Sequence, residues 1–413
     1  MFASLCILGR QPSLGLAELE SLFGADFIQL VGDIAALLDI APGDVPFSRL
    51  GGTVKLCKVL TVLDSSDWHK ICSSLEEIVL HQIEDLPKGK IKLGLSLYGF
   101  DVPINQISPA GLTIKKAIKK AGHSARIIPN TTSALNSAQV IHNQLTGRLG
   151  IELVIVRDSG TTIVAQTVAE QDIASYTLRD RGRPKRDARV GMLPPKLAQI
   201  ITNLAIGESS VIRHPSSAKP LETDDRGQET TKPLVLLDPF CGTGVLLQEA
   251  LLMGYSAYGT DIDPRMIEYT KTNLDWLQKT YNLKPITYNL LQGDATSYRW
   301  TELFDIVATE TYLGRPFTTK PDDKTLSATV NDCNVIIKKF LGNIASQAKS
   351  GLRLCLAVPA WRVDDNFIHL PLLDSLTDMG YTRLSFVHAD NKDLIYYREG
   401  QIVARELVII TRI

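Results

Sequence analysis

The chain has 413 residues, more than one ordinary core supports, so two or three domains are expected. Hydrophobic residues at 44% and charged residues at 22% give the balance of a soluble globular protein and exclude a disordered or fibrous one. A net charge of -1 excludes uniform basicity as the mark of a polyanion partner but leaves room for a local basic face.

The six cysteines, Cys6, Cys57, Cys72, Cys241, Cys333 and Cys355, contain no CxxC pair. That argues against a zinc site and a disulfide framework, and for a reducing compartment. The opening run MFASLCILGRQ lacks the basic start and cleavage site of a signal peptide. No later run approaches the roughly 18 apolar residues that a bilayer crossing needs. A cytoplasmic protein without membrane or metal is expected.

Up to about Ala165, short apolar strands alternate with helices: FASLCILG, LGLAELESLFG, TVKLCKVL, IKLGLSL, ELVIVRD and TTIVAQTV. This predicts an α+β region. In SPAGLTIKKAIKKAG, Ile114, Ala117 and Ile118 share one helix face, and Lys115, Lys116, Lys119 and Lys120 form a ridge on the other. NTTSALNSAQVIHNQLTGR reads as a helix entered through Ser, Thr and Asn caps and ending near Gly147. Between Gln171 and Arg189, Arg179, Arg181, Arg183, Lys185, Arg186 and Arg189 outnumber Asp180 and Asp187, as expected of a basic linker. The helix PPKLAQIITNLA follows, then a polar, breaker-rich stretch, ESSVIRHPSSAKPLETDDRGQETTKP, expected to be a mobile loop.

After Pro233 the alternation is strict: LVLLD, a helix to Met253, SAYGTD, a helix from Pro264, ITYNLLQGD, FDIVAT, a long helix through Asn343, and RLCLAVP. Such βαβ succession predicts a doubly wound parallel sheet. YTRLSFVHA, DLIYYREG and ARELVIITRI read as closing strands with a turn at Glu399 and Gly400, which puts an antiparallel pair on its edge. The divisions expected from this pass are 1–80, 81–168, a linker over 169–190, and 191–413.

The segment LLDPFCGTGVLLQEA ends a strand at Asp238, followed by Pro239, turns through Gly242 and Gly244, and opens a helix at once. A bare GxG would equally suit an ordinary tight turn. The next strand, however, ends at Asp261 beside Ile262, where a carboxylate can accept both ribose hydroxyl protons of a nucleoside. Asp263 with Pro264 is read as N-cap and N1 of the helix that follows. QGDAT places Asp294 and the Ala295 N–H where an adenine amino group and ring nitrogen would be met. A nicotinamide dinucleotide is the competing ligand, but GxGxxG is incomplete, and an acid aimed into the turn repels pyrophosphate while suiting an ammonium. The pattern favours S-adenosyl-L-methionine.

DPFCGTG, YGTDID, QGDAT and GMLPPKLAQIITNLA, in that setting, resemble the class I methyltransferase domain of the THUMP-containing tRNA guanosine N2-methyltransferases. ILGRQPSLGLAELESLFG resembles the family's N-terminal ferredoxin-like segment, and ALNSAQVIHNQLTGRLGIELVIV the end of its THUMP domain. The resemblance implies a ferredoxin-like domain over 1–80, a THUMP domain over 81–168 and a methyltransferase domain over 191–413. It further implies a tRNA partner and a guanosine N2 target at the tenth tRNA position. In that family the fourth strand of the sheet ends in D-P-P-Y, whose acid orients the target amine and whose aromatic stacks on the flipped base. FDIVATETYLGRPF has Glu310 for the acid, Thr311 and Tyr312 for the prolines and Leu313 for the aromatic. Glu310, Thr311 and Tyr312 are the expected catalytic residues. A carboxylate is retained, the loop loses both prolines, and Tyr312 supplies stacking only if its ring turns inward.

A flipped base needs offsetting contacts elsewhere on the RNA. The lysine ridge, Arg126, Arg179, Arg181, Arg183, Lys185 and Arg186 are the candidates, against the alternative of solvated charged faces. Two other functions stay open: a THUMP-type RNA-binding protein with little or no transfer, and an amino methyltransferase acting on ribosomal RNA or DNA.

Overall fold

The computed structural model describes residues 2–187, 192–207, 233–283, 287–317, 319–364 and 366–413. Arg189, and all but the last residue of the stretch expected as a mobile loop, lie outside the described residues. The chain divides into two compact units. The first comprises Met1–Gly15, Asp26–Ser48 and Gly52–Ala174; the second comprises Leu16–Ala25, Arg49–Gly51 and Ser175–Ile413.

In the first unit, β1 (Ser4–Leu8), β2 (Ile28–Val31), β3 (Ala35–Leu38), β4 (Thr53–Leu63), β5 (Lys90–Tyr98), β6 (Ser124–Ile127), β7 (Gly150–Asp158) and β8 (Thr161–Glu170) share one sheet of order β2-β3-β1-β4-β8-β7-β5-β6. Residues 1–80 and 81–168, expected as separate domains, are therefore joined through the β4–β8 ladder. The sheet is buried on both faces, which is why β7 reads as an unbroken apolar run from Leu153 to Val156. Its Leu153 and Ile155 enter one core, and Val154 and Val156 the other, as the two-residue strand period requires.

Helix α1 (Pro12–Phe23) belongs from Leu16 onward to the second unit, not to the region in which the sequence pattern placed it. Two longer helices, α2 (Trp68–Ile83) and α3 (Ile104–Lys120), pack on the first unit's sheet. In α3, Ile107, Ile114 and Ile118 are buried, each worth about 1.5–3 kcal/mol of transfer free energy. The helix starts before Ser108, so Pro109 lies inside it rather than at its entrance. Helix α4 (Ser137–His142) is much shorter than its pattern suggested. Asn136 caps it in a reciprocal capping box with Gln139.

The second unit adds α5 (Ile173–Thr177) from Ser175 onward, α6 (Pro195–Ile206), β9 (Val235–Asp238), α7 (Val245–Leu252), β10 (Ser256–Asp261), α8 (Pro264–Thr280), β11 (Tyr288–Gln292), β12 (Ile306–Glu310), α9 (Asp323–Ala345), β13 (Arg353–Val363), β14 (Asn366–Ile368), β15 (Tyr381–Arg383), β16 (Ile395–Tyr396) and β17 (Val403–Arg412). Its sheet runs β11-β10-β9-β12-β13-β17-β15, with β14 on β13 and β16 on β17. The first five are parallel and β17 is antiparallel to β13. The chain thus winds outward from β9 in both directions, which opens a crevice above the carboxyl ends of β9, β10 and β12. Of YTRLSFVHA only Tyr381–Arg383 is strand. Beyond it, the Val387 and His388 N–H groups donate to the carboxylate of Glu20 on α1, at 2.6 and 2.9 Å, instead of to a neighbouring strand. No helix of the described residues is long and apolar enough to cross a membrane.

Candidate functional site

Three strand ends bring the expected acids to one crevice. Asp238, at the end of β9, is 2% exposed, and its Oδ1 accepts from Thr309 Oγ1 at 2.6 Å and from the Phe240 N–H at 3.2 Å. No hydrogen bond reaches Oδ2 among the described residues. Burial pushes this carboxyl up to about 7, with Asp261 and Glu310 adding to the rise and the Thr309 and Phe240 bonds opposing it. A buried acid of this kind lacks a cation, and an ammonium ligand supplies one.

After Asp238 and Pro239 the turn uses Gly242 at φ 51° and Gly244 at φ 80°. A Cβ on Gly244 would stand 2.7 Å from Thr270 Cγ2. Glycine is needed there for both backbone conformation and space. Thr270 Oγ1 donates to the Gly242 carbonyl at 2.8 Å, and Asn273 Nδ2 to the Thr243 carbonyl at 2.9 Å, so α8 holds the turn open. Asp261 accepts from the Gly242 and Asp263 N–H groups, each at 2.9 Å, which fixes its carboxylate at the rim. Burial raises its pKa, against those backbone bonds. Ile262, 66% exposed, offers an apolar surface beside it. Asp263 is the N-cap of α8, accepting from the Arg265 N–H, which is the structural role expected. Asp294 accepts from the Thr296 N–H and hydroxyl at 2.9 and 2.8 Å, closing the turn that carries buried Ala295.

The variant loop follows β12. Glu310 is ion-paired through Oε1 with Nε of Arg405 on β17, and no hydrogen bond reaches its Oε2 among the described residues. It does not cap the next turn. Thr311 sends both its N–H, at 3.0 Å, and its hydroxyl, at 3.3 Å, to the Ala357 carbonyl of β13. These two bonds order the segment where the resemblance expected lost prolines to loosen it. Tyr312 is 42% exposed, and burial of part of its ring raises the phenol pKa, with Cys333 and Asp332 adding to the rise. Gly314 completes the bend at φ 81°.

The basic residues divide sharply. Lys116, Lys119 and Lys120 of α3, Arg126 of β6, Arg181 and Arg186 are exposed, while Lys115 and Lys185 are half-buried. Arg179 and Arg183, expected to meet RNA, are 6% and 3% exposed. Arg179 Nε donates to Glu249 of α7 at 2.6 Å, and its guanidinium lies 4.7 Å from the Tyr176 ring centroid. Its charge is consumed inside the unit. The segment expected as a linker is packed structure as far as Lys185, whose N–H donates to Asn273 at 2.9 Å.

Thr309, Thr270, Asn273 and Arg405 were missed by sequence reasoning. Thr309 lies one residue before Glu310 on an apolar strand, and that polar intrusion was a usable signal. Arg405 carried none, because only the β13–β17 register brings it to Glu310.

Residues 227–335 match the UPF0020, RMKL-like methyltransferase domain family. The tRNA (guanine(10)-N2)-dimethyltransferase of Methanothermobacter thermautotrophicus is 29% identical over 169 residues, 41% of this chain and 39% of that protein. That of Pyrococcus abyssi is 40% identical over 92 residues, 22% of this chain and 26% of that protein. The matches thus span less than half the length of these relatives. TrmN from Thermus thermophilus shares the fold, at a TM-score of 0.51 and 14% identity with 100% of both chains covered. Residues 227–335 are therefore similar to methyltransferase domains of the UPF0020, RMKL-like family, and the chain is similar over part of its length to tRNA (guanine(10)-N2)-dimethyltransferases.

Proposed function

We propose that this protein is an S-adenosylmethionine-dependent tRNA methyltransferase acting on the N2 amine of a guanosine, at tRNA position 10 by similarity to its relatives. The observation that carries the reading is one crevice in which the acids of β9 and β10 stand beside an acid-ended β12. The residues fit the cofactor. Asp238 offers a buried carboxylate to an ammonium, Asp261 and Ile262 suit a ribose and a base face, and Asp294 with Ala295 forms the adenine end. When bound, S-adenosylmethionine supplies an electrophilic methyl group on a sulfonium.

The chain's own contribution is orientation. Glu310 Oε2 accepts from the exocyclic N2–H and aims the nitrogen lone pair, while Arg405 fixes the carboxylate through Oε1. Thr311 holds the backbone, and the exposed Tyr312 ring offers a stacking surface for the flipped base. The N-terminal region is read as ferredoxin-like followed by THUMP. With Lys115, Lys116, Lys119, Lys120, Arg126, Arg181, Lys185 and Arg186 it supplies phosphate contacts for a cytoplasmic tRNA.

Incubating the full chain with labelled S-adenosylmethionine and tRNA should give N2-methylguanosine on nucleoside analysis. Glu310→Ala should lower the rate by about 100- to 1,000-fold with S-adenosylhomocysteine binding intact. Methylated adenine, or transfer to ribosomal RNA alone, would refute the substrate. Tight tRNA binding with no transfer by the wild type would favour the second reading, a binding protein. The ion-paired state of Glu310 is the observation on its side.

A further inference from the structure

Arg183 is 3% exposed, and its Nε, Nη1 and Nη2 are all buried without a hydrogen-bond partner. Among the described residues it is the one guanidinium in that condition. Asp180 is the opposing charge that acts on it, without a hydrogen bond to its guanidinium. Burial lowers the guanidinium pKa to about 10 with Asp180 opposing, and Arg186 adds to the fall. An isolated buried cation costs several kcal/mol and persists in a native fold where something compensates it. The residue sits at the end of a π-helical turn, Leu178–Gly182, a rare geometry concentrated at functional sites.

Its location identifies the missing anion. Two residues on, the Lys185 N–H donates to Asn273 Oδ1, and Asn273 Nδ2 donates to both the Lys185 and the Thr243 carbonyls, each bond 2.9 Å long. One carboxamide therefore straps this segment to the glycine turn, with the two carbonyl oxygens no more than about 6 Å apart. An arginine side chain two residues away is long enough to reach that turn, which opens at Asp238, the buried acid assigned to the ammonium of the cofactor's amino-acid part. That amino acid is a zwitterion, and its carboxylate needs a donor as its ammonium needs an acceptor. A planar guanidinium with every donor unused matches a carboxylate in charge and in geometry.

We infer that Arg183 is the receptor for the α-carboxylate of the methionyl group, and that Arg183 and Asp238 together read that group as a zwitterion. This rests on the cofactor reading given above. It removes Arg183 from the RNA-facing set and makes it a determinant of cofactor specificity.

The test compares two thioethers, neither carrying a sulfonium, by calorimetry on the full chain. S-Adenosylhomocysteine carries both charges; its decarboxylated analogue, S-adenosyl-3-thiopropylamine, keeps the ammonium alone. The wild type should prefer the first by about 10- to 100-fold. Arg183→Gln should bind the two alike, Arg183→Lys should recover part of the preference, and tRNA retention should be unchanged in both. The ligand-free Arg183→Gln protein should melt no lower than the wild type, because an uncompensated charge has left the interior. A structural arginine would give the opposite. Several results would overturn the assignment: no preference in the wild type, a preference surviving in Arg183→Gln, loss of tRNA binding alone, or a lower melting temperature for ligand-free Arg183→Gln. A wild type that bound neither thioether would instead overturn the cofactor reading itself.

Discussion

Two buried cations are treated in opposite ways in the two units. Lys55, 2% exposed in the middle of the first sheet, is ion-paired to Glu152, donates to the Leu135 carbonyl at 3.0 Å and lies 3.6 Å from Glu170. Glu152 in turn accepts from Thr167 at 2.6 Å and from Ser96. The chain itself thus supplies the counter-charge of Lys55, although both Glu170 oxygens are buried without a hydrogen-bond partner. Among the described residues Arg183 has no such ion pair and no hydrogen bond from its guanidinium. The difference separates a charge that the chain has compensated from one left for a ligand to compensate, and exposure alone does not reveal it.

The comparison breaks first at Lys55. Lys55→Ala leaves two carboxylates in a core without their cation, and should cost about 3–5 kcal/mol in denaturant unfolding near neutral pH. The sign with pH follows from Glu170, which burial raises to about 7 with Lys55 opposing. A carboxyl whose folded pKa exceeds its unfolded value destabilises the fold as it ionises. The deficit should therefore be smaller near pH 5 and grow as pH rises through 7. A deficit independent of pH would mean the network is not electrostatic.

Asp238→Asn sharpens the contrast from the other side. It should weaken S-adenosylhomocysteine binding by about 10- to 100-fold. Without ligand it should raise the melting temperature at pH 8, where the wild-type acid is ionised, and the gain should fade as pH falls through about 7. A gain undiminished at pH 5 would show that packing, and not charge, sets the difference. The smallest effect is expected at the turn between the two charge-reading residues. Gly244→Ala, at φ 80° and against Thr270, should cost about 1–3 kcal/mol of stability, measured by thermal melting. Binding of both thioethers should fall with the Arg183-dependent preference preserved.

The methyltransferase sheet was legible because its βαβ alternation, its glycine turn and its acids are local signals, each written within a dozen residues. SAYGTD became β10 to the residue. Asp263 became the cap that its Pro264 neighbour implied. What failed depended on distant partners. The arginine-rich segment read as a basic linker facing RNA because nothing nearby announces Glu249 or Asn273. The strand expected over YTRLSFVHA was cut short by a carboxylate on α1. The boundary near residue 80 vanished because β8, formed far along the chain, zips onto β4. Loss of the prolines after Glu310 looked like loss of order because Ala357, the carbonyl that replaces their constraint, lies on another strand.

Glu20 and its backbone partners at 387 and 388 have a further consequence for how the molecule is made. The groups that Glu20 holds lie 367 and 368 residues further along the chain, so translation delivers them after β2 to β8 of the first sheet. The second unit therefore cannot make this contact until the segment carrying Val387 and His388 has been synthesised, and α1 lacks that partner while those strands are being added.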